Sequence, residues 1–132
     1  MGSGKTTLLN TLAGRALTGV SVTVLINGTC YQKNMKRKLA CVLQEDLFFD
    51  NLTVREHLTY TAFLRLPGHY TKHEKLDQVG KIIDTLGLKK CENTKISLIS
   101  GGEKKHVNIG SELLAGPNLI FLTVGCERDF HN

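Results

Sequence analysis

The sequence predicts an α/β domain whose sheet is mostly parallel, and three observations carry that expectation. Short apolar runs with strand character, among them "LACVL" (39–43) and "NLIFLTV" (118–124), are interspersed with segments of helical periodicity. Two capping boxes, "TVRE" (Thr53 to Glu56) and "TKHE" (Thr71 to Glu74), each mark the start of a helix. A glycine-bearing string near the head of the chain, "GSGKTT" (Gly2 to Thr7), opens directly onto a helical pattern.

In chain order, Leu8, Leu9, Leu12 and Ala16 share one face at helical spacing, which predicts a first helix from Lys5 to about Arg15. Val22, Val24 and Ile26 alternate with Ser21 and Thr23, a strand ended by the turn pair Asn27-Gly28. "LACVL" is wholly apolar, as a strand buried on both faces would be. The helix opened by Thr71 carries Leu76, Val79, Ile83 and Leu86 on one stripe and should stop at Gly87. A further helix is expected after "SGGE" (100–103), stopping before Gly116-Pro117, and "NLIFLTV" then reads as a last buried strand.

Composition narrows the function classes. With 132 residues the chain is one domain at most, and its apolar content of 41% is that of an ordinary globular protein. No apolar run approaches the roughly 18 residues of a membrane span, and no secretory leader pattern is present. The four cysteines are scattered, without a C-x-x-C pair, which argues against a zinc site or disulfide scaffold and fits a reducing compartment. The net charge of +5 is spread over several lysine clusters without interleaved aromatics, so a solvated surface is favoured over a nucleic-acid face.

The chemistry concentrates in a few stretches. The phosphate-binding loop has the pattern G-x-x-x-x-G-K-[ST] between a strand and a helix, and Gly4, Lys5 and Thr6 supply its last three positions. Glycines let backbone N–H groups curl around phosphate oxygens, while the helix start adds partial positive charge. The lysine bridges the terminal phosphates and the hydroxyl holds Mg²⁺. Taken alone, the same string also reads as a flexible terminus. Two later stretches weigh against that: "VLQEDLFFDNLTVREHL" (42–58) and "ISGGEKKHVNIGSELL" (99–114) resemble the glutamine loop and signature sequence of ATP-binding cassette (ABC) transporters. With "TTLLNTLAGR" (6–15), they are similar to the G, or White-type, subfamily of half-transporters, in the family's order, from Gly2 to Leu122.

That resemblance implies a partial P-loop NTPase domain of the ABC type, with ATP and Mg²⁺ as cofactors and a helical insert carrying the signature. Gly2, Ser3, Gly4, Lys5, Thr6 and Thr7 match the loop that wraps the phosphates. Gln44 matches the glutamine that reaches Mg²⁺ and the attacking water; without the family it is an exposed residue ending a strand. Ser100, Gly101 and Gly102 match the signature, which caps ATP held by the opposite subunit, with Glu103 where many relatives have Gln. An ordinary helix N-cap accounts for the same residues, and both roles are compatible. The implied partners are a second nucleotide-binding domain, identical or not, and a transmembrane domain; no nucleic acid is implied. The implied location is the cytoplasmic face of a membrane, with this span-free chain itself cytosolic.

The departures from the family pattern are as informative. His106 stands where Arg is usual, and "CENTKISLISGG" (91–102) is several residues shorter than the usual approach to the signature. In the family a strand like "LIFL" (119–122) runs into Asp, which supports Mg²⁺, and Glu, which polarises the water; Thr123 and Val124 follow here. Neither side chain can carry negative charge. Glu127 and Asp129 lie beyond the strand end, and His131 matches no switch histidine, so residues 123–132 are expected to be a divergent tail. The reading therefore expects an incomplete copy, cut at both ends, whose first helix lacks part of its packing surface and which hydrolyses ATP poorly. A non-catalytic nucleotide-binding or regulatory module is the alternative, and a fragment without independent function a third. His57, His69 and His73 have no metal or triad context and are expected at the surface or in caps.

Overall fold

The computed structural model describes residues 4–13, 19, 22–32, 35, 38–42 and 48–122. In chain order they form α1 (Lys5–Leu12), β1 (Leu25–Ile26), β2 (Thr29–Cys30), β3 (Leu39–Val42), α2 (Val54–Arg65), α3 (Lys72–Thr85), α4 (Gly101–Leu113) and β4 (Leu119–Leu122). Two 3₁₀ turns, Leu88–Lys90 and Ile96–Leu98, connect α3 to α4. The expected tail, residues 123–132, lies outside the described residues.

The chain is a mixture of helix and strand. Among the described residues the strands form one parallel pair, β3 with β4, and one antiparallel hairpin, β1 with β2. The hairpin turns at Asn27-Gly28, whose φ angles of 50° and 78° give the mirror-image turn that matches strand twist. Parallel strands need a long crossover. Here that crossover contains α2, α3 and α4, and the principal apolar core lies inside it. Val54, Leu58 and Ala62 recur every fourth residue on α2 and are fully buried against Val79 and Ile83 of α3 and Val107 of α4. Leu88, Cys91, Ile96, Ile99 and Leu114 close the same cluster.

Several boundaries and faces differ from the sequence expectation. The strand expected over 21–26 forms only at Leu25–Ile26, because among the described residues its sole strand partner is the two-residue Thr29–Cys30, and Val22 and Leu25 are exposed. On α3 the buried face runs through Lys75, Val79 and Ile83, while Leu76 is 40% exposed. Lys75 takes the inner position because its stem lies along apolar surface while its ammonium meets the open end of α2. There Nζ donates to the carbonyls of Phe63 (3.4 Å) and Leu66 (3.2 Å) and sits 5.6 Å from the Phe63 ring centroid. A cation at a helix C-terminus satisfies carbonyls that have no intrahelical partner. β4 is half-exposed at both ends, Leu119 at 41% and Leu122 at 46%, because among the described residues it pairs with β3 alone. On α1, Leu8 is exposed and Leu9 and Leu12 are half-buried, whereas Thr11 and Ala13 are buried. Ala16 and Arg15 lie outside the described residues.

The start of α2 shows how fully a buried helix end is satisfied. Its first two amides donate to the chain entering the second 3₁₀ turn: Val54 N–H to Thr94 O at 3.1 Å and Arg55 N–H to Glu92 O at 2.8 Å. Glu56 N–H goes to Thr53 Oγ1, and His57 N–H begins the intrahelical ladder on Thr53 O. Arg55 then forms an ion pair with Glu92, and Ile96 N–H returns to Leu52 O at 2.9 Å.

Where the three long helices meet, α4 carries Gly110. A Cβ there would lie 3.0 Å from Ile82 Cγ2, 3.1 Å from Leu86 Cδ1 and 3.4 Å from Leu58 Cδ2. The added methyl overpacks the junction by about 1–3 kcal/mol, against a helix-propensity gain of about 1 kcal/mol. Gly110→Ala should therefore lower the unfolding free energy by about 1 kcal/mol, measured by urea denaturation, whereas Gly80→Ala on α3, with nothing within 4 Å of the new methyl, should not lower it.

Candidate functional site

The helix that follows the glycine string begins in a way no other described α-helix does. Gly4 is its N-cap, in the left-handed conformation at φ 74°, and Leu8 N–H closes the first turn on Gly4 O at 2.9 Å. Among the described residues no side chain caps this end, and no acid stands in the first turn. Nothing lies within 4 Å of the Cβ that Gly4 lacks, and Lys5 and Thr7 are exposed beside it. Of the expected phosphate contacts, Gly2 and Ser3 lie outside the described residues, and Thr6 is described by its helical backbone only. The far end of α1 is tied down: Thr11 Oγ1 donates to Thr7 O at 2.8 Å, and Tyr31 Oη, from beyond the hairpin, reaches Ala13 O at 3.5 Å.

The helices α2, α3 and α4 each begin with a complete capping box. On α4 the box is made by two of the expected signature residues. Ser100 N–H and Ser100 Oγ both donate to Glu103 Oε2 at 2.8 Å, and Glu103 N–H donates back to Ser100 Oγ at 3.3 Å. Gly101 and Gly102 are exposed in the first turn, each with open space where a Cβ would be. Hydrogen bonds from the Ser100 backbone and then its hydroxyl hold the Glu103 carboxyl below its usual range, helped by the Cys91 thiol and by His106. Cys91 itself is buried, and burial, followed by the adjacent Glu103 charge, pushes its thiol up. Its Sγ donates to Leu88 O at 3.4 Å.

Gln44 lies outside the described residues, as do Thr123 and Val124. The strands that lead to them are described. β3 and β4 run parallel in the register Leu39↔Leu119 to Val42↔Leu122, so both approach these positions from the same direction. In open α/β sheets, ligands are bound beyond the carboxyl ends of the strands.

Sequence reasoning missed His57. Its imidazole is half-buried at the α2–α4 contact, with Nε2 3.1 Å from Ser111 Oγ and the ring edge-on to Phe48 at 5.3 Å between centroids. Burial lowers its pKa below the usual 6.5. The missed signal was its place four residues after the Thr53 cap and one before the buried Leu58. Arg65, another residue passed over, pairs with Glu112 at 2.9 Å across the same helix contact. Among the described residues no group of three or more His, Cys, Asp or Glu side chains is placed to hold a metal ion.

A glycine-led, uncapped helix start combined with parallel strands is the arrangement of P-loop nucleotide-binding proteins. Comparison with known proteins sharpens that class. The ABC transporter family profile matches residues 1–122. ABC transporter G family member 21 of Arabidopsis thaliana is 48% identical over 126 residues, covering 92% of this chain and 19% of that relative. Protein white of Ceratitis capitata is 41% identical over 130 residues, covering 90% and 19% respectively. The broad substrate specificity ATP-binding cassette transporter ABCG2 of Rattus norvegicus is 42% identical over 140 residues, covering 99% and 21%. The chain belongs to the ABC transporter family, as a nucleotide-binding domain of the G subfamily. It spans about a fifth of the length of these curated relatives.

The three boxes make stability acid-sensitive in a defined window. Glu56, Glu74 and Glu103 all have carboxyl pKa values lowered from 4.5, chiefly by hydrogen bonds from their own cap residues. A lowered folded-state pKa stabilises the fold above the unfolded value, and that contribution is lost as pH falls through the folded one. Urea midpoints followed by circular dichroism should fall steeply below about pH 4.5, on top of a shallower decline that begins below 6.5 because the folded-state pKa of His57 is lowered. Ser100→Ala should cost about 1 kcal/mol at neutral pH and shrink the steeper fall.

Proposed function

We propose that this chain binds ATP with Mg²⁺ as the nucleotide-binding domain of a White-type half-transporter, one of two such domains that close over nucleotide against a transmembrane domain. In this reading Gly2, Ser3, Gly4, Lys5, Thr6 and Thr7 hold the phosphates. Ser100, Gly101 and Gly102, with Glu103, cap the nucleotide of the second domain, identical or not. Residues 1–122 are the domain sequence, with a mostly parallel sheet and the signature on its helical insert, and residues 123–132 are a divergent tail.

The observation that carries the reading is the start of α1, where Gly4 caps a helix whose first residue is Lys5 and whose first turn, among the described residues, has neither a side-chain cap nor an acid. A phosphate group fits there on charge and on space, since Gly4 presents no side chain and the first turn no acid. For the metal, Thr6 and Gln44 are the residues assigned to hold it, and Mg²⁺ would arrive with the nucleotide. When bound, it neutralises charge on the transferring phosphate.

The chain's own part in hydrolysis is weak. Thr123 and Val124 stand where the family's strand runs into acids, and neither can accept a proton from water. Loss of a general base typically lowers rate by about 10²–10⁴-fold. That observation favours a second reading, a domain that binds nucleotide and closes with a partner but turns over little. In the whole transporter, closure on ATP would drive movement of an amphipathic cargo at a membrane whose cytoplasmic side carries this domain. Among the described residues no helix is long and apolar enough to cross a membrane.

Equilibrium titration with Mg-ATP, alongside phosphate-release assays, tests both. Binding should weaken by at least about tenfold in Lys5→Ala, and turnover should sit at background in both proteins. Absence of binding to the parent chain sinks the nucleotide reading. Mg²⁺-dependent turnover that vanishes in Lys5→Ala sinks the claim of lost hydrolysis.

A further inference from the structure

We propose that His57 is a proton-sensitive latch: when neutral it fastens both the Phe48 segment and α4 to the first turn of α2, and when protonated it releases them. The inference does not depend on nucleotide binding. It rests on three elements meeting at one half-buried imidazole.

The hydrogen-bond chain sets the ring's protonation state. Ser111 is buried, and its hydroxyl has a single proton, which Oγ donates to Val107 O at 3.0 Å. Toward His57, 3.1 Å away, Oγ therefore acts as acceptor, and Nε2 must carry the hydrogen. In the neutral ring that leaves Nδ1 bare. On the other side Phe48 meets the ring edge-on, at 5.3 Å and an interplanar angle of 74°. Phe48 begins the run Phe48–Leu52 that lines a surface cleft of about 490 Å³ and feeds into α2. One imidazole thus joins the cleft wall to a buried serine on α4.

Protonation is opposed by the surroundings and is disruptive when it occurs. The ring is in the first turn of α2, where the helix's positive end disfavours a cation. Burial depresses its pKa. Among the described residues the neighbouring charges are otherwise engaged: Arg55 with Glu92, Glu56 with Thr53, and Arg65 with Glu112, Arg65 also reaching the Ser111 carbonyl at 3.5 Å. Asp50 is the one charged residue of the cleft run, and it is exposed. Glu103, Lys104, Lys105 and His106 sit at the other end of α4, at least five residues from Ser111. An imidazolium gains a second N–H donor at Nδ1, and swinging outward to water solvates it. That movement breaks the Ser111 bond and removes the ring from Phe48.

The chain has no tryptophan, so Phe48→Trp places a single fluorophore against the latch. Imidazolium quenches a touching indole and imidazole does not. In the Phe48→Trp background, emission should change in one transition with its midpoint below pH 6.5, and amide-exchange protection of α4 should fall over the same range. His57→Gln, which keeps an N–H donor for Ser111, should abolish the transition and hold α4 protection level from pH 7.5 to about 5. A transition that persists in His57→Gln overturns the proposal, as does none in the His57 background. Nitrogen-detected NMR of the unsubstituted chain needs no variant to fold. It should show a neutral, Nε2-protonated ring at pH 7.5, and an Nδ1–H tautomer or a midpoint at or above 6.5 overturns the latch.

Discussion

Unsatisfied amides at the start of a helix attract negative charge, and the way each helix here answers that demand shapes the rest of the molecule. α2, α3 and α4 answer it internally, with a hydroxyl at the cap and a glutamate three residues on. α2 goes further and engages the chain around Glu92 and Thr94, which ties the helix start to the segment leading into α4. α1 has no such answer: its cap is a glycine and its first turn lacks an acid. The same physics that makes three helix ends self-sufficient leaves the start of α1, among the described residues, without a side-chain cap.

The α4 start combines both situations. Its Ser100 hydroxyl is committed to Glu103 in each direction, donating to Oε2 and accepting from the glutamate's N–H. Behind it, Cys91 brings the loop after α3 against the same carboxylate. Farther along, Gly110 lets α4 approach Ile82, Leu86 and Leu58, and Ser111 and Glu112 reach back to His57 and Arg65 on α2. A single helix therefore presents a polar start to solvent while its remaining turns register two neighbours. The apolar contacts hold the unit together, and the polar ones set its rotation.

What could be read from sequence was the part governed by short-range chemistry. The Thr53, Thr71 and Ser100 starts, the Asn27-Gly28 turn and the Gly87 stop each depend on residues within a few positions of one another, and all were legible. Lys75 and Leu76 exchange places because periodicity counts apolar residues, whereas the fold had a bare helix end for an ammonium to meet. His57 was passed over for a similar reason, since its partners are 9 residues back at Phe48 and 54 onward at Ser111. Of the candidate site, the glycine string and the signature are local patterns and stood out at once. The partition between a bare helix start and a self-capped one did not, because "SGGE" serves equally as cap and as anion cradle until its hydrogen bonds are placed.

Lys75 also changes what the turn between α2 and α3 is for. The ammonium grips the carbonyls at the end of α2 from the first turn of α3, and the two helices share a buried face along their length. The connection from Leu66 to Thr71 is thus spanned by a non-covalent clasp, and the helices' mutual position is set without it. Closure entropy rises only slowly with loop length, by about 0.6 kcal/mol per doubling. This exposed bend is accordingly the place where related chains can diverge in length, or accept an inserted segment, while the helix pair and everything registered on it stay as they are.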